Sequence, residues 1–413
     1  MPLGLCSGVR SMILSSFIYI YWRSIRRYSK IDINLINEKD VSMKSIWNKK
    51  WVEDIDYLKE ELIKKHINLF AYIEEDEFNK KIEELKKIID KLDYEEMKIE
   101  ISRITASIRD AHTSLIFPAR KFIPLKFYNF NDGVYIINST KYYENLLFKK
   151  VIAIEDTKIE DILKELSNII SYENQYFFKA QSMKYLQIVE VLYGLLIVDD
   201  LNKIKITLED GEHEIIPVSI ENMTYTNDRL PMYAKKSSEN LWFKYLDNKE
   251  LYIKYNSCRE SGSESIKDKI EKIVLFIEKN NIKKVTVDLR NNLGGDSTLF
   301  EPFIDYIKEN KEINNKENLK VIIGRETFSS ALLNADNFKN NTNAKIVGEP
   351  SGGKPNCYGE ILKIILPNSK LVVTYSTKFY KLIEDDSIDS LYPDEIVLET
   401  IEDYKSRKNI VFC

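Results

Sequence analysis

The chain has 413 residues, of which 44% are hydrophobic and 11% aromatic, so it can form more than one packed core. Its formal net charge of -4 comes from 61 basic and 65 acidic residues, and no block of lysine and arginine is interleaved with aromatic residues. These features argue against nucleic-acid binding, and we expect no nucleic-acid partner.

The positions of cysteine and histidine argue against a metal site and a disulfide framework. The 4 cysteines include no Cys-x-x-Cys pair. The 3 histidines, His66, His112 and His213, do not lie at the spacing of metal ligands on a helix. We therefore expect free thiols and neither a metal nor an organic cofactor. Any catalytic imidazole must belong to one of these three histidines.

Residues 1–44 form an N-terminal tail with a short apolar segment. Residues 12–22 are apolar and flanked by arginines, but the run is too short to span a bilayer unaided and lacks an obvious small-x-small cleavage site. A packed helix, an export signal and a shallow membrane anchor are all compatible with it. The basic residues 23–30 favour contact with anionic lipid, so membrane contact through residues 12–30 stays open. The sequence therefore does not decide whether the protein is cytoplasmic or exported.

Residues 45–117 are predicted to form a helical unit. Apolar residues recur every three or four positions in three successive stretches, which begin near Trp47, Phe78 and Met97. This period is typical of amphipathic helices. The third stretch ends at Arg109-Asp-Ala-His-Thr113, so we expect His112 to lie just after the C-terminus of a helix.

Residues 118–222 are predicted to form a second, strand-rich unit. Pro118 and Pro124 interrupt the helical pattern, and the segments 133–137 and 150–154 read as strands. Asp210-Gly211 favours a hairpin between two further strands. Helices are predicted at 159–166 and 176–196. The polar residues 223–243 are the best candidate for a linker.

Residues 244–413 alternate between strand and helix patterns. Strands are predicted at 251–255, 285–289, 319–323 and 345–347, helices at 266–277 and 330–338, and an antiparallel hairpin within 360–376. Such alternation predicts an α/β layer with a largely parallel sheet. We therefore expect an α+β multi-domain protein with a helical N-terminal unit, a β-rich middle and an α/β core.

Three stretches of this last unit place small or polar residues where strands end, which is where open α/β sheets form their sites. In residues 288–295 two glycines follow a buried strand, so their N–H groups can approach a substrate carbonyl. In residues 324–330 a strand leads into a helix that would begin at Ser329, a candidate nucleophile. The loop 347–355 carries Lys354, which could accept the serine proton if burial lowered its pKa. Taken singly, the stretches also fit a turn, an N-cap and a surface charge.

Together, and in this order, the three stretches resemble the tail-specific, or C-terminal processing, serine peptidase family, including its tricorn-like and interphotoreceptor retinoid-binding-like branches. Asp288-Leu-Arg-Asn-Asn-Leu-Gly-Gly295 is similar to the DLRxNxGG element, Thr327-Phe-Ser-Ser-Ala331 to the nucleophile turn, and Gly348-Glu-Pro-Ser-Gly-Gly-Lys354 to the GEPxxGK loop. Upstream, Arg109-Asp-Ala-His-Thr113 resembles the DxHT element that carries the base in tricorn-like branches. Residues 126–166 look like the PDZ-like unit of many relatives.

The resemblance implies a fold and an activity. The core would be of the ClpP/crotonase-like type, the middle unit would be PDZ-like, and the units would be 1–44, 45–117, 118–222, the linker 223–243 and 244–413. The activity would be that of a serine-type endopeptidase that acts on a peptide or protein substrate and recognises its C-terminus by strand addition. The oligomeric state is not implied.

The resemblance also implies roles for residues. Ser329 would form the acyl-enzyme, and the N–H groups of Gly294 or Gly295 and of Ser330 would hold the oxyanion. His112 is the expected base, although the spacing of Lys354 from Ser329 also fits the Ser/Lys dyad of another branch. Four acids compete to orient the base, with Asp386 named for that role: Glu384, Asp385, Asp386 and Asp389.

Two positions depart from the family pattern. Leu332 stands where the tail-specific branch commonly has glutamate, and Cys357 occupies a loop position expected to be polar. Neither removes the nucleophile. Because retinoid-binding relatives share the fold, the alternative function is a catalytically inactive peptide- or lipid-binding protein.

Overall fold

The computed structural model describes residues 38–226, 230–234, 237–246, 249–262 and 264–406, with side chains from residue 44 onward. The apolar segment 12–22, the basic residues 23–30 and two cysteines, Cys6 and Cys413, lie outside these ranges. Within them, no helix has the length and apolar character needed to cross a membrane.

The described residues form helices and strands throughout the chain. The helices are α1 (Glu38–Lys65), α2 (Glu75–Lys86), α3 (Tyr94–Ser107), α4 (Ile159–Ser167), α5 (Gln175–Tyr185), α6 (Val189–Gly194), α7 (Ile266–Lys279), α8 (Glu301–Glu309), α9 (Ser330–Asn341) and α10 (Ile401–Lys405). The strands are β1 (Leu115–Ile116), β2 (Leu125–Phe130), β3 (Gly133–Ser139), β4 (Val151–Ile154), β5 (Thr157–Lys158), β6 (Ile204–Leu208), β7 (Gly211–Ile215), β8 (Leu241–Leu246), β9 (Glu250–Tyr255), β10 (Lys284–Asp288), β11 (Leu319–Ile323), β12 (Lys345–Gly348), β13 (Cys357–Ile365), β14 (Val372–Tyr380) and β15 (Glu395–Ile396).

The N-terminal helices share a core with the end of the chain. Strands β1, β14 and β13 form an antiparallel sheet in that order. The apolar stripes of α1, α2 and α3 pack against Val373 and Tyr375 of β14. Helix α3 begins with a capping box between Asp93 and Glu96, which satisfies two backbone N–H groups. The helical N-terminal region predicted from the sequence is therefore present, but a late hairpin completes its core.

The strand-rich region forms a second core. Strands β5, β4, β6 and β7 make an antiparallel sheet in that order, and the hairpin of β2 and β3 packs with α4, α5 and α6 beside it. The single helix predicted at 176–196 is two helices, α5 and α6. The helix breaks because Gln187 and Ile188 leave it to bond with the neighbouring segment 122–123.

The last region contains a six-stranded sheet of order β15-β12-β11-β10-β9-β8, in which only the pair β8 and β9 is antiparallel. This confirms the predicted parallel sheet. Strands β9 to β12 follow one another in sequence and in space, so right-handed connections place α7, α8 and α9 on one face. These helices and the sheet form the third core. Residues of β2, β3 and α10 cover the other face.

The structure thus confirms a mixed α/β fold with a helical N-terminal region and several sheets. The PDZ-like and ClpP/crotonase-like assignments, and the unit boundaries, stay predictions. What matters for function is the sheet edge. Strands β10, β11 and β12 end side by side at Asp288, Ile323 and Gly348, so the three segments singled out in the sequence meet there.

Asp288 anchors this edge as a fully buried carboxylate with three partners. Lys254 Nζ lies 3.0 Å from Oδ1, Arg290 Nη2 lies 2.6 Å from Oδ2, and the Tyr252 hydroxyl donates to Oδ2 at 2.7 Å. Burial alone would raise the pKa of Asp288, but the charges of Arg290 and Lys254 outweigh it and hold the pKa well below its ordinary value. The start of the glycine-containing loop is therefore fixed by an ionised carboxylate.

We expect Asp288→Ala to lower the free energy of unfolding by about 3–5 kcal/mol, because Lys254 and Arg290 would keep buried charges without their counterion. Lys254→Met is the matched variant, since Asp288 would still hold Arg290 and the loss should be smaller. Denaturant unfolding of both proteins measures the difference. Equal stability of the two variants would contradict the assignment of Asp288 as the anchor.

Candidate active site

Ser329 lies in the turn that joins β11 to α9. Its backbone has φ 53° and ψ -128°, a left-handed conformation that is strained for a residue with a side chain. Its side chain makes no capping hydrogen bond to the helix. An ordinary N-cap has an extended backbone and an accepting side-chain oxygen. Ser329 therefore does not act as a helix cap, and it lies in a sharp turn from a strand to a helix.

The loop after β10 lies directly against this turn. A Cβ placed on Gly294, whose φ is 99°, would lie 2.8 Å from the Cβ of Ser329 and 2.8 Å from the nitrogen of Ser330. A Cβ placed on Gly295, whose φ is 141°, would overlap the carbonyl oxygen of Cys258. Only glycine permits this approach of backbone to backbone. The structure therefore brings Gly294, Gly295, Ser329 and Ser330 together.

The N–H groups beside Ser329 differ in their partners. The Gly294 N–H donates to Asn292 Oδ1 at 2.9 Å. The N–H groups of Gly295 and Ser330 have no acceptor among the described residues. Ser330 is the first residue of α9, where N–H groups lack intrahelical partners, and its hydroxyl donates to the Gly295 carbonyl at 2.6 Å. Gly295 and Ser330 thus offer two free donors at the positive end of a helix.

His112 lies beside the same turn. Its ring stacks on Phe328, the residue before Ser329, with the ring centroids 4.4 Å apart and 25° between the planes. Both ring nitrogens are buried, and no side chain within the described ranges forms a hydrogen bond with either of them. Burial lowers the pKa of His112, and the negative charge of Asp110 and the main chain of Tyr358 oppose that effect only in part. A neutral imidazole can accept a proton on the ring nitrogen that carries none.

Asp110 supports the segment that carries His112. Its buried carboxylate accepts hydrogen bonds from His66 Nε2 at 3.0 Å, from the Ser376 hydroxyl at 2.6 Å and from the Thr113 hydroxyl at 2.5 Å. It also accepts the N–H of His112 at 2.9 Å, and its Oδ1 lies 3.9 Å from His112 Nδ1. Burial would raise the pKa of Asp110, but the bond from His66 and the charge on His112 lower it overall.

Glu173 is a half-buried residue whose carboxylate oxygens are buried, and no sequence motif indicated it. Neither carboxylate oxygen has a hydrogen-bond partner in the described part of the chain. Burial and then the negative charge of Asp110 raise the pKa of Glu173 well above its ordinary value, against the opposing charge of Lys354. The next residue, Asn174, caps α5 and donates to the carbonyls of Gly352 and Asp389. Asn174 thus connects the loop that contains Lys354 to the loop that contains Asp389.

Lys354 points toward the helical region. Its Nζ lies 3.5 Å from the Tyr72 hydroxyl and 5.5 Å from the centroid of that ring. It makes no hydrogen bond or ion pair to Ser329 or His112 in the described structure. Its charge acts on Glu173 and on the Cys357 thiol, whose pKa burial raises. The raised pKa of the Cys357 thiol disfavours its reactive thiolate form.

The late acidic residues make no hydrogen bond to His112 in the described part of the chain. Asp386 is exposed and accepts a hydrogen bond from Asn356 Nδ2 at 2.5 Å, and Asp389 accepts one from the Tyr392 hydroxyl at 3.0 Å. Within the described ranges neither these acids nor the exposed Glu384 and Asp385 bond to His112. No contact in the described structure therefore supports the expectation that Asp386 orients the base. Its loop is held to Asn356, and the carboxylate beside the imidazole is Asp110.

Leu332, one of the two departures from the family pattern, lies in the third core. It is 1% exposed and packs with the apolar residues between the sheet and α9. A Cβ on Gly353 would approach its side chain to 2.9 Å. A glutamate at this position would bury a charge here, so the apolar residue follows from its surroundings.

Comparison with known proteins identifies the fold. No family model and no curated protein sequence matches the chain. The structure of mature CPAF complexed with lactacystin matches with a TM-score of 0.63 at 11% identity, over 89% of this chain and 97% of that chain. Mature CPAF alone matches with a TM-score of 0.63 at 12% identity, over 89% and 96%.

The photosystem II D1 C-terminal processing protease matches more weakly, with a TM-score of 0.41 at 10% identity over 84% of this chain and 93% of that chain. The resemblance to the tail-specific serine peptidases predicted from the sequence is thus confirmed at the level of the fold.

Proposed function

We propose that the chain is a serine peptidase that cleaves peptide bonds through an acyl-enzyme on Ser329. The observation that carries the proposal is the strained backbone of Ser329 beside the free N–H groups of Gly295 and Ser330. A strained residue persists only where its surroundings enforce the conformation, and such residues are concentrated at active sites. The similarity of the fold to CPAF supports the same class of reaction.

In the proposed reaction His112 takes the proton of the Ser329 hydroxyl while Oγ bonds to the substrate carbonyl carbon. The carbonyl electron pair moves to the oxygen, where the N–H groups of Gly295 and Ser330 stabilise the negative charge. His112 then gives the proton to the departing amine, and water releases the acyl group by the same steps. Asp110 positions His112 through the backbone bond and favours the imidazolium by its charge.

Two finer parts of the proposal concern the substrate and Lys354. The strand-rich region 118–222 would bind a substrate C-terminus in the manner of a PDZ-like unit, and cleavage would be of the endopeptidase type. Lys354 would have a secondary role, because its ammonium lies at Tyr72 and acts on Glu173 through its charge.

A second candidate is a catalytically inactive binding protein with the same fold. One observation favours it: neither ring nitrogen of His112 makes a hydrogen bond to Ser329 or to a carboxylate. Catalytic hydrogen bonds are often long before substrate binds, so this geometry does not remove His112 from consideration. Chemical labelling separates the two functions.

A fluorophosphonate probe should label the wild-type protein and should not label Ser329→Ala, because only an activated serine attacks such a probe. Ser387→Ala, on an exposed loop, is the matched control and should label like the wild type. The measurement is the extent of labelling by mass spectrometry. A folded wild-type protein that never labels would favour the binding protein.

Gly294→Ala should slow labelling by about a hundredfold or more, since the added Cβ would displace Ser329 or the N–H of Ser330 from the oxyanion site. Gly211→Ala is the control: its φ is also positive, at 128°, but a Cβ there meets nothing within 4 Å. Both variants carry backbone strain of about 1–3 kcal/mol, and only the first should lose reactivity. Wild-type labelling by Gly294→Ala would contradict the oxyanion assignment.

His112→Ala should lower kcat/KM on a peptide by about 10²–10⁴-fold, the usual contribution of a general base. Lys354→Met should retain most of the wild-type kcat/KM. Because burial lowers the pKa of His112, the neutral base persists in acid, and kcat/KM should rise with pH through a pKa below about 6.5. The opposite ranking of the two folded variants would assign the base to Lys354.

A further inference from the structure

A cavity of about 120 Å³ lies between β2, α5 and the ends of β10, β11 and β12. Neither Ser329 nor His112 lines it. Five basic side chains and three carboxylates do, together with aromatic and apolar side chains. The ends of parallel strands in open α/β sheets are where such folds bind ligands. The cavity is therefore placed as a binding site and is distinct from the nucleophile turn.

Two of the basic side chains have no counterion among the described residues. Lys184 Nζ lies 2.7 Å from Glu326, and Arg325 makes two bonds to Glu349, at 2.7 and 2.8 Å. By contrast, Lys126 on β2 and Lys179 on α5 have no side-chain hydrogen bond or ion pair to any described residue. Two ammonium groups thus face the cavity with unused donors.

The surroundings of these two lysines disfavour their charge. Burial lowers the pKa of both Lys126 and Lys179. By its accessible surface Lys126 is exposed and Lys179 is half-buried. Glu326 opposes the shift of Lys126, but its own carboxylate is already engaged by Lys184 and by Asn291 Nδ2 at 3.1 Å. An anion bound in the cavity would pair with the ammonium groups of Lys126 and Lys179, which have no ion-pair partner among the described residues.

Other lining groups also lack partners. Glu399 Oε1 and the Tyr404 hydroxyl are buried and have no hydrogen-bond partner among the described residues. Burial raises the pKa of Glu399 to about 7. Buried polar atoms in native proteins are nearly always satisfied by protein or by water, so these two atoms are available to hydrogen-bond a ligand in the cavity. Apolar surface from Tyr128 and Met183 completes the lining.

We propose that this cavity binds a small organic anion, with its carboxylate or phosphate group on Lys126 and Lys179 and its apolar body against Tyr128 and Met183. A polar group of the ligand would meet Glu399 and Tyr404. The cavity wall is close to the nucleophile along the chain: Glu326 precedes Ser329 by three residues, which span about 10 Å when extended. The anion could therefore be the C-terminal carboxylate of a substrate or a separate small molecule.

Binding is best measured on the full chain carrying Ser329→Ala, so that no turnover is needed. The probes are inorganic phosphate and the acid form of N-acetyl-trialanine, measured by calorimetry. Adding Lys126→Met and Lys179→Met should weaken binding by about tenfold or more, because each charge-assisted hydrogen bond is lost. Lys363→Met, on the exposed part of β13, is the control and should bind as before. Thermal unfolding checks that the substituted protein is folded.

The amide form of N-acetyl-trialanine distinguishes the two sources. Binding of the acid but not of the amide or phosphate would identify the substrate carboxylate, a result that rests on the proposed peptidase function. Binding of phosphate with no preference for the peptide acid would identify a separate small anion. If no probe binds, or if the double lysine substitution leaves binding unchanged, the proposal is overturned. Failure of the peptidase function would show independently, as absent fluorophosphonate labelling of the wild-type protein.

Discussion

The buried carboxylate of Asp110 is the contact on which the candidate site depends. It joins His66 at the end of α1, Ser376 on β14 and the segment that carries His112. His66 Nδ1 accepts the N–H of Asn68 at 3.1 Å, so the proton of this imidazole resides on Nε2 and is donated to Asp110. A buried charge is tolerated only when its lone pairs are satisfied, and here four donors satisfy them. The position of the proposed base is therefore set by the first helix and the last hairpin together.

This contact also makes the site sensitive to acid. The pKa of Asp110 is lower in the folded protein than in an unfolded chain, because the donors and the charge on His112 outweigh burial. Such a group contributes stability above its unfolded pKa of about 3.9, and that contribution is lost as pH falls through the folded value. Glu173 has the opposite effect. Its raised pKa means that folding favours the neutral acid, and its destabilising contribution grows as pH rises above the unfolded value.

The sequence predicts those parts of the fold that depend on local residue patterns. Strands β9 to β12 and the helices α7 and α9 follow from apolar periodicity, whereas α8 was not predicted. The turn at Asp210-Gly211 follows from its residue types. The pairing of the N-terminal helices with β13 and β14 could not be predicted, because periodicity shows which face is apolar but not what covers it. For the same reason the helix at 176–196 was predicted without its break, which the contact of residues 187–188 with segment 122–123 enforces.

Some residues of the candidate site could likewise be predicted from local pattern, and others could not. Ser329 and the glycines meet because adjacent parallel strands end together, which strand order alone predicts. The proximity of His112 rested on the family resemblance. Glu173 had no local signal, since a single glutamate before an N-cap is common in any sequence. The competition among the acids at 384–389 could not be resolved because the choice depends on which loop Asn356 holds.

The conformation of Ser329 is enforced by bonds between two loops, and this distinguishes a built site from an accidental strained turn. The Thr327 hydroxyl donates to the Leu289 carbonyl at 2.9 Å, and the Phe328 N–H donates to the Asn292 carbonyl at 3.1 Å. Asn292 in turn uses its side chain to hold the Gly294 N–H. Strain of about 1–3 kcal/mol at one residue is comparable to the net contribution of two or three such hydrogen bonds. The bonds that offset the strain do not involve the N–H groups of Gly295 and Ser330. The loop backbone is therefore held in place, while these two donors remain available to bind the oxyanion of a transition state.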